Sequence, residues 1–183
     1  MAFNVDQFRA QLSGDGARPN LFQVSLLLPT FVNNSAAAGQ KLVFMCNATS
    51  LPESSIGVTP AYYFGREIKL AGNRTYADWS IQIINDEDFL IRNAMEAWHN
   101  NINGPVGNAR SAGAVTVDNG YGVNATVTQF GKNGSTLKQY QFVGMWPTNI
   151  SAIDLNWQSN DQLEEFIVTF AYQYYIPSGI PTL

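Results

Sequence analysis

The stretch Leu163-Glu164-Glu165-Phe166-Ile167-Val168-Thr169-Phe170-Ala171-Tyr172-Gln173-Tyr174-Tyr175 decides the fold class. Phe166, Val168, Phe170, Tyr172 and Tyr174 share one side of a period-two alternation, the mark of a strand with one buried face. Its charges, Glu164 and Glu165, sit only at its start. A long strand with an aromatic face and few charges is an aggregation hazard unless something pairs with it. Sheet closure, or regular assembly with other copies, would answer that hazard.

The same signal recurs outward from this stretch. Residues 78–84 place Trp79, Ile81 and Ile83 opposite Asp78, Ser80 and Gln82, and residues 64–70 place Phe64, Arg66, Ile68 and Leu70 opposite Gly65, Glu67 and Lys69. Residues 121–130 and 138–146 flank an Asn133-Gly134 hairpin turn, and Pro147 stops the second of them. Further strands are expected at 21–28, 41–48 and 152–157, the last carrying Ile153, Leu155 and Trp157. Residues 30–39 and 103–120 are small and polar and read as loops. Residues 49–62, punctuated by Ser, Pro and Gly, read as an extended loop, and Ala71-Gly72-Asn73 as a turn.

Two segments carry a helical period. Residues 3–12 predict a short helix with Phe8 and Leu12 on one face. Residues 87–101 predict the strong one, with Leu90, Ala94, Ala97 and Trp98 in one stripe. Asp86, Glu87 and Asp88 crowd its start, where the helix dipole favours negative charge. Many strands and one flanking helix predict a mainly β fold, an antiparallel sandwich or partial barrel rather than a βαβ repeat. At 183 residues with no linker or repeat, one domain is expected, with an N-terminal segment 1–20 and an extended tail 176–183.

Composition narrows function. Only 13% of residues are charged, about half the usual roughly 25%, so the surface is cheap to desolvate against a partner. The net charge is −4 and no two of the ten basic residues are adjacent, which argues against tight binding to nucleic acid or to an anionic membrane. The N-terminus has no apolar signal region, so a cytosol-like compartment, or export without a signal, is expected. The lone Cys46 excludes an internal disulfide and reads as a small buried apolar residue. With one His and one Cys, a zinc site is close to excluded. His99, at the helix end beside two asparagines, is expected at the surface rather than in a catalytic triad. No catalytic, metal or cofactor site is expected. Arg66 is the exception to the bland pattern: on an apolar face it needs a carboxylate, in its own fold or in a neighbour's. Arg74 and Asp78 join it as candidates for intersubunit or loop-anchoring charges. The four tryptophans, Trp79, Trp98, Trp146 and Trp157, read as core or interface packing.

Several motifs resemble the tail tube protein family of contractile-tailed, T-even-like phages. They are Ala17-Arg18-Pro19-Asn20-Leu21-Phe22-Gln23-Val24, Cys46-Asn47-Ala48-Thr49-Ser50-Leu51-Pro52, the block from Arg66 to Trp79 with Asn85-Asp86-Glu87 after it, and Gly144-Met145-Trp146-Pro147-Thr148-Asn149. The last strand matches at Leu155, Trp157, Ser159, Asn160, Phe166, Val168 and Thr169. The motifs keep the family's order from residue 17 to about 170. The loop 29–40, residues 102–137 and the tail 176–183 depart from the pattern.

The resemblance implies a sandwich assembled as hexameric rings, stacked into a hollow tube whose inner wall is a β-barrel built jointly by all subunits. It implies a virion tail protein, assembled in the host cytoplasm, that serves as a conduit for the genome. The implied partners are further copies of itself, a tail sheath protein, a tape-measure protein, and baseplate and tail terminator proteins. DNA would pass through the lumen without specific binding, and no membrane is involved. Arg18, Arg66, Arg74, Asp78 and Trp146 are the expected subunit-interface residues, with loop 49–63 and the N-terminal segment making ring-to-ring contacts. Three alternatives stay open: the tube of a type VI secretion or extracellular injection apparatus, a lectin-like sandwich using Tyr62, Tyr63 and Trp146, and an enzyme with an unrecognised carboxylate pair.

Overall fold

Alternating segments become strands where one face can be buried, and the computed structural model, which describes residues 4–181 apart from the side chains of Asp15 and Asn119, shows which do. In chain order the elements are α1 (Val5–Gln11), β1 (Phe22–Leu26), α2 (Ser35–Met45), β2 (Cys46–Thr49), β3 (Ser54–Tyr63), β4 (Arg66–Tyr76), β5 (Trp79–Ile84), α3 (Leu90–Ile102), β6 (Val123–Phe130), β7 (Thr136–Ile150), β8 (Glu165–Ala171) and β9 (Tyr174–Pro177). All pairings are antiparallel. The large sheet runs β1-β6-β7-β8-β5-β2, with β9 also paired to β7, while β3 and β4 form a separate two-stranded ribbon.

Strand β7 belongs to both layers of the sandwich. Its first part pairs β6 on one side and β9 on the other, and its last part, from Trp146, pairs β8. The corner is Gly144, at φ +61°. A Cβ there would stand 3.0 Å from Gln173 Cγ and 3.1 Å from Val117 Cγ1. Both the backbone sign and the space therefore call for glycine. Gly144→Ala is expected to destabilise the fold by about 1–3 kcal/mol, measured by urea unfolding. The deciding stretch itself divides at this corner. Residues 165–171 lie between β5 and β7, the chain crosses at Tyr172-Gln173, and 174–177 pair with the other half of β7.

The core fills the gap between the layers. Val24, Val127, Phe142 and Met145 meet Ile81, Ile83, Phe166, Val168 and Phe170. Trp79 sits among them, stacked on Phe142 with centroids 4.4 Å apart, its Nε1–H donating to the Ser50 carbonyl at 2.8 Å. Helix α3 closes one side with Ile91, Ala94, Met95 and Trp98, as its amphipathic stripe predicts. Trp98 Nε1–H donates to the Tyr121 carbonyl at 2.8 Å. His99 is half-buried, its Nε2 lying 3.0 Å from the Pro147 carbonyl, so it ties α3 to β7.

Seven expectations are corrected. Pro147 does not stop its strand, since β7 runs on to Ile150. The loop at 30–39 and the strand at 41–48 give way to α2, with only Cys46–Thr49 extended. Ala38 and Leu42, one helical turn apart, are buried, and Gly39 lets the helix lie against β1: a Cβ would stand 2.9 Å from the Leu26 carbonyl. The expected loop 49–62 is largely β3, and Ala71-Gly72-Asn73 is an irregularity inside β4 rather than a turn. Pro60 is tolerated because a two-stranded ribbon leaves an edge free of ladder bonds. Residues 152–157 alternate without pairing, and Trp157 is fully exposed rather than packed. The start of the short helix predicted at residue 3, and the tail at 182–183, lie outside the described residues.

The acidic run before α3 also works differently from expectation. Helix α3 starts at Leu90, and Asp86 and Asp88 hold Lys41 of α2 at 2.7 and 2.6 Å. Hydrogen bonding to the lysine holds both carboxyls below the usual carboxylate range and raises the lysine above its ordinary 10.5. The stabilisation from lowered carboxyls is present above about pH 4 and is lost as pH falls through their folded values. That from the raised lysine is present below about pH 10 and is lost as pH rises through its folded value. Lys41→Met should therefore lower stability at pH 7 and match the parent near pH 2, as read by urea unfolding at both.

Candidate assembly surface

The ribbon β3–β4 carries apolar side chains that its own chain leaves uncovered. Ten residues at about 3.3 Å each give it a reach of roughly 33 Å. Its two strands pair with each other and with no other strand among the described residues. Yet Ile56, Val58, Tyr62, Tyr63, Phe64, Ile68 and Leu70 are all exposed on it. An isolated hairpin is marginal in water, so a ribbon with this much uncovered apolar surface fits a site of association.

Register sorts its faces. Tyr63 opposes Arg66, Ala61 opposes Ile68 and Thr59 opposes Leu70 on one face, while Tyr62/Glu67 and Pro60/Lys69 occupy the other. At the tip, Phe64 and Gly65 both have positive φ, +45° and +80°. Asn-Gly is the comfortable pair for such a turn, so a phenylalanine 92% exposed at this position is a local misfit. It lies edge-on to Tyr63 with centroids 4.6 Å apart.

The root of the ribbon is fixed by tyrosines. Tyr76 contacts Tyr172 and Tyr175 at 5.8 and 5.5 Å. Tyr175 Oη lies 3.2 Å from Ser54 Oγ, and Tyr172 Oη donates to the Glu53 carbonyl at 3.5 Å. The rigid body of the sandwich thus aims the ribbon.

Of the expected interface residues, the structure brings three to this element. Arg66 stands next to the tip, Arg74 toward the root opposite Ile56, and Asp78 just beyond the root. Arg66 and Arg74 form no ion pair among the described residues. Arg66 is exposed, and no carboxylate among the described residues pairs with it. Arg18 and Trp146 lie elsewhere. Arg18 is exposed beside a cleft of about 530 Å³ between residues 12–18 and 130–137. Trp146 is half-buried, packed on the core and edge-on to Tyr121 at 5.6 Å.

Other apolar groups, several of them read in the sequence as packed faces, stand exposed in the structure. Helix α1, capped by Asn4 Oδ1 on the Asp6 amide at 3.0 Å, buries none of its residues, and Val5 and Phe8 face solvent. Leu155, Trp157 and Leu163 stand out from the segment between β7 and β8. Only tertiary structure separates these from core residues of the same type. Cys46 is half-buried at the head of β2, where burial pushes its thiol up to about 12, so it is not a reactive thiolate at neutral pH.

Two sheet edges also lack a strand partner, although α2 lies against the Leu26 carbonyl at one end of β1. Strands β9, β7, β6 and β1 form a four-stranded antiparallel layer, and no strand among the described residues pairs with the outer side of β1 or of β9. The opposite layer is different at its β7 end, where α3 covers carbonyls of the chain: His99 reaches Pro147 and Arg92 donates to Ser151 at 2.8 Å.

Residues 17–178 match the family described as phage tail tube protein. Tail tube protein gp19 of Enterobacteria phage T4 is 35% identical over 174 residues, covering 94% of this chain and 99% of that protein. The tail tube protein of Serratia phage KSP90 is 25% identical over 170 residues, covering 92% and 93%. A chain from the extended sheath–tube complex of the extracellular contractile injection system PVC shares the fold. Its TM-score is 0.59 at 13% identity, covering 98% of this chain and all of that one.

Proposed function

Given that this chain belongs to the phage tail tube protein family, we propose that its copies close into hexameric rings and stack into the inner tube of a contractile tail, the conduit for the genome. The protein is a structural component of the virion tail. The structural role of its relatives weighs against an enzymatic one.

The observation that carries the ring is the open four-stranded layer. In a head-to-tail ring every copy keeps the same sense, so the outer strand of one copy meets the opposite outer strand of the next. Four antiparallel strands give outer strands of opposite direction, and β1 against a neighbour's β9 continues the alternation without a fault. Repeated around the ring, the layer closes into a barrel and removes its edges, which answers the aggregation hazard. The β3–β4 ribbon and the segment 4–20 would bridge successive rings of this single tail-tube domain. Arg18, Arg66, Arg74, Asp78 and Trp146 are proposed at these contacts. A sheath, a tape-measure protein, a baseplate and a terminator are proposed as the further partners, with DNA passing unbound.

Identity of 35% to a phage protein, against 13% to an injection-system chain, favours the phage setting over a secretion apparatus. Negative-stain electron microscopy of the purified full chain, alone and added to baseplate-bound tube stubs, tests the proposal. Rings, uniform hollow tubes or extended stubs are expected. A protein that stays monomeric at high concentration and fails to extend stubs would overturn it.

A further inference from the structure

The ribbon and the segment 151–164 both hold large apolar side chains in water, and their charges are opposite. The ribbon carries Arg66, Lys69 and Arg74 against one carboxylate, Glu67. None of the three cations forms an ion pair among the described residues. Residues 151–164 carry Asp154, Asp161 and Glu164 and no cation. Asp154 and Asp161 are exposed and form no ion pair among the described residues, and Glu164 accepts only from the neutral amide of Asn85 at 2.8 Å. Leu155 is 81% exposed and Trp157 fully so. Beside them a cleft of about 410 Å³, lined by Phe89, Asn93, Ile153 and Leu155, opens between this segment and the start of α3.

Resting on the assembly proposal, we infer that the segment 151–164 is the receptor for the β3–β4 ribbon of a second copy: Tyr63 and Phe64 seat against Leu155, Trp157 and the adjoining cleft, while Arg66, on the same face as Tyr63, meets Asp154 and Asp161. The chemistry is complementary on both counts. Aromatic groups left in water on each surface are buried by the contact, and a cation without an ion-pair partner meets carboxylates without one. The contact is heterologous, since different patches of the same chain meet, so it propagates from copy to copy instead of closing a dimer. It also supplies a carboxylate for Arg66, which pairs with none among the described residues of its own chain.

The test is charge exchange in the full chain, with far-UV circular dichroism and urea unfolding confirming that each variant folds. R66E and D154K/D161K are each expected to raise the protein concentration needed for tubes about tenfold or more, because like charges are then opposed. The three substitutions combined are expected to recover most of the loss. Lys69→Glu, on the opposite face of the ribbon, is expected to have a smaller effect than R66E. A second readout uses a Cys46→Ala background: Phe64→Cys with Leu155→Cys is expected to give a disulfide-linked ladder of copies under mild oxidation, where either cysteine alone gives none. Tubes unimpaired in R66E or in D154K/D161K, or a combined variant no better than its parents together with no ladder, would overturn the receptor assignment. Both outcomes leave the assembly proposal standing. A parent chain that forms no rings or tubes and extends no stubs would overturn the assembly proposal, and the receptor with it.

Discussion

Trp79→Ala is expected to lower the stability of the monomer by about 3–5 kcal/mol, the range for deleting a buried aromatic. Trp79 lies between the two layers, 2% exposed, stacked on Phe142 and 5.9 Å from Phe170. Truncation removes the transfer energy of the indole and leaves a cavity that two opposed sheets collapse into poorly. It also removes the indole N–H that donates to the Ser50 carbonyl at the start of the connection to the ribbon. Urea unfolding of parent and variant, with an unchanged slope and a shifted midpoint, is the measurement. Trp157→Ala is the control. Its ring is fully exposed, so a change within about 0.5 kcal/mol is expected for the same chemical deletion.

The reverse pattern is expected at the ribbon tip. Tyr63→Ser combined with Phe64→Asn should leave the monomer within about 0.5 kcal/mol of the parent, because both rings are in water there. Asparagine before Gly65 suits the positive φ at position 64 better than phenylalanine does, so the turn itself loses nothing. Assembly is what should fail. Anchoring aromatics in an interface are worth about 2 kcal/mol or more each, and one such loss raises the concentration needed for tubes about thirtyfold. Pelleting assays across a concentration series, read beside electron micrographs, check this. Tubes forming at the parent's concentration would show that the tip is not an anchor.

These two variants mark what period alone can and cannot say. Trp79 and Trp157 both fall on the apolar side of an alternating segment, and pattern treats them alike. Residues 79–84 are sandwiched between β2 and β8 and covered by the opposite layer, whereas 152–157 find no strand to pair with. Burial depends on partners distant in sequence, so it is invisible to a local window. The same reason explains α2. Its residues Lys41–Met45 read equally as a strand, and contact with β1 and α3, together with the Lys41 ion pairs, decides for a helix. The first strand of the ribbon was hidden for the opposite reason: Ser, Pro and Gly masked a strand that has no buried face to show, while its partner was legible in the alternation at 64–70.

Arg66 was legible because a charge on an apolar face is a local contradiction that needs no tertiary knowledge to notice. Its company was not legible. That Phe64 and Tyr63 stand at the same tip, and that Asp154 and Asp161 stand unpaired on another segment, follows only from pairing register and exposure.

The sequence by itself determined the mainly β class, the main amphipathic helix, the family through its ordered motifs, and one arginine in want of a partner. Those follow from side-chain period, turn chemistry and residue identity, which are local. Tertiary structure alone decided which strands share a layer, that the deciding stretch breaks at residues 172–173 to serve both layers, and which apolar faces remain in water. A sheet is made by contacts between residues far apart in the chain, so its edges and uncovered faces, the parts of this protein proposed for assembly, exist only once the chain has folded.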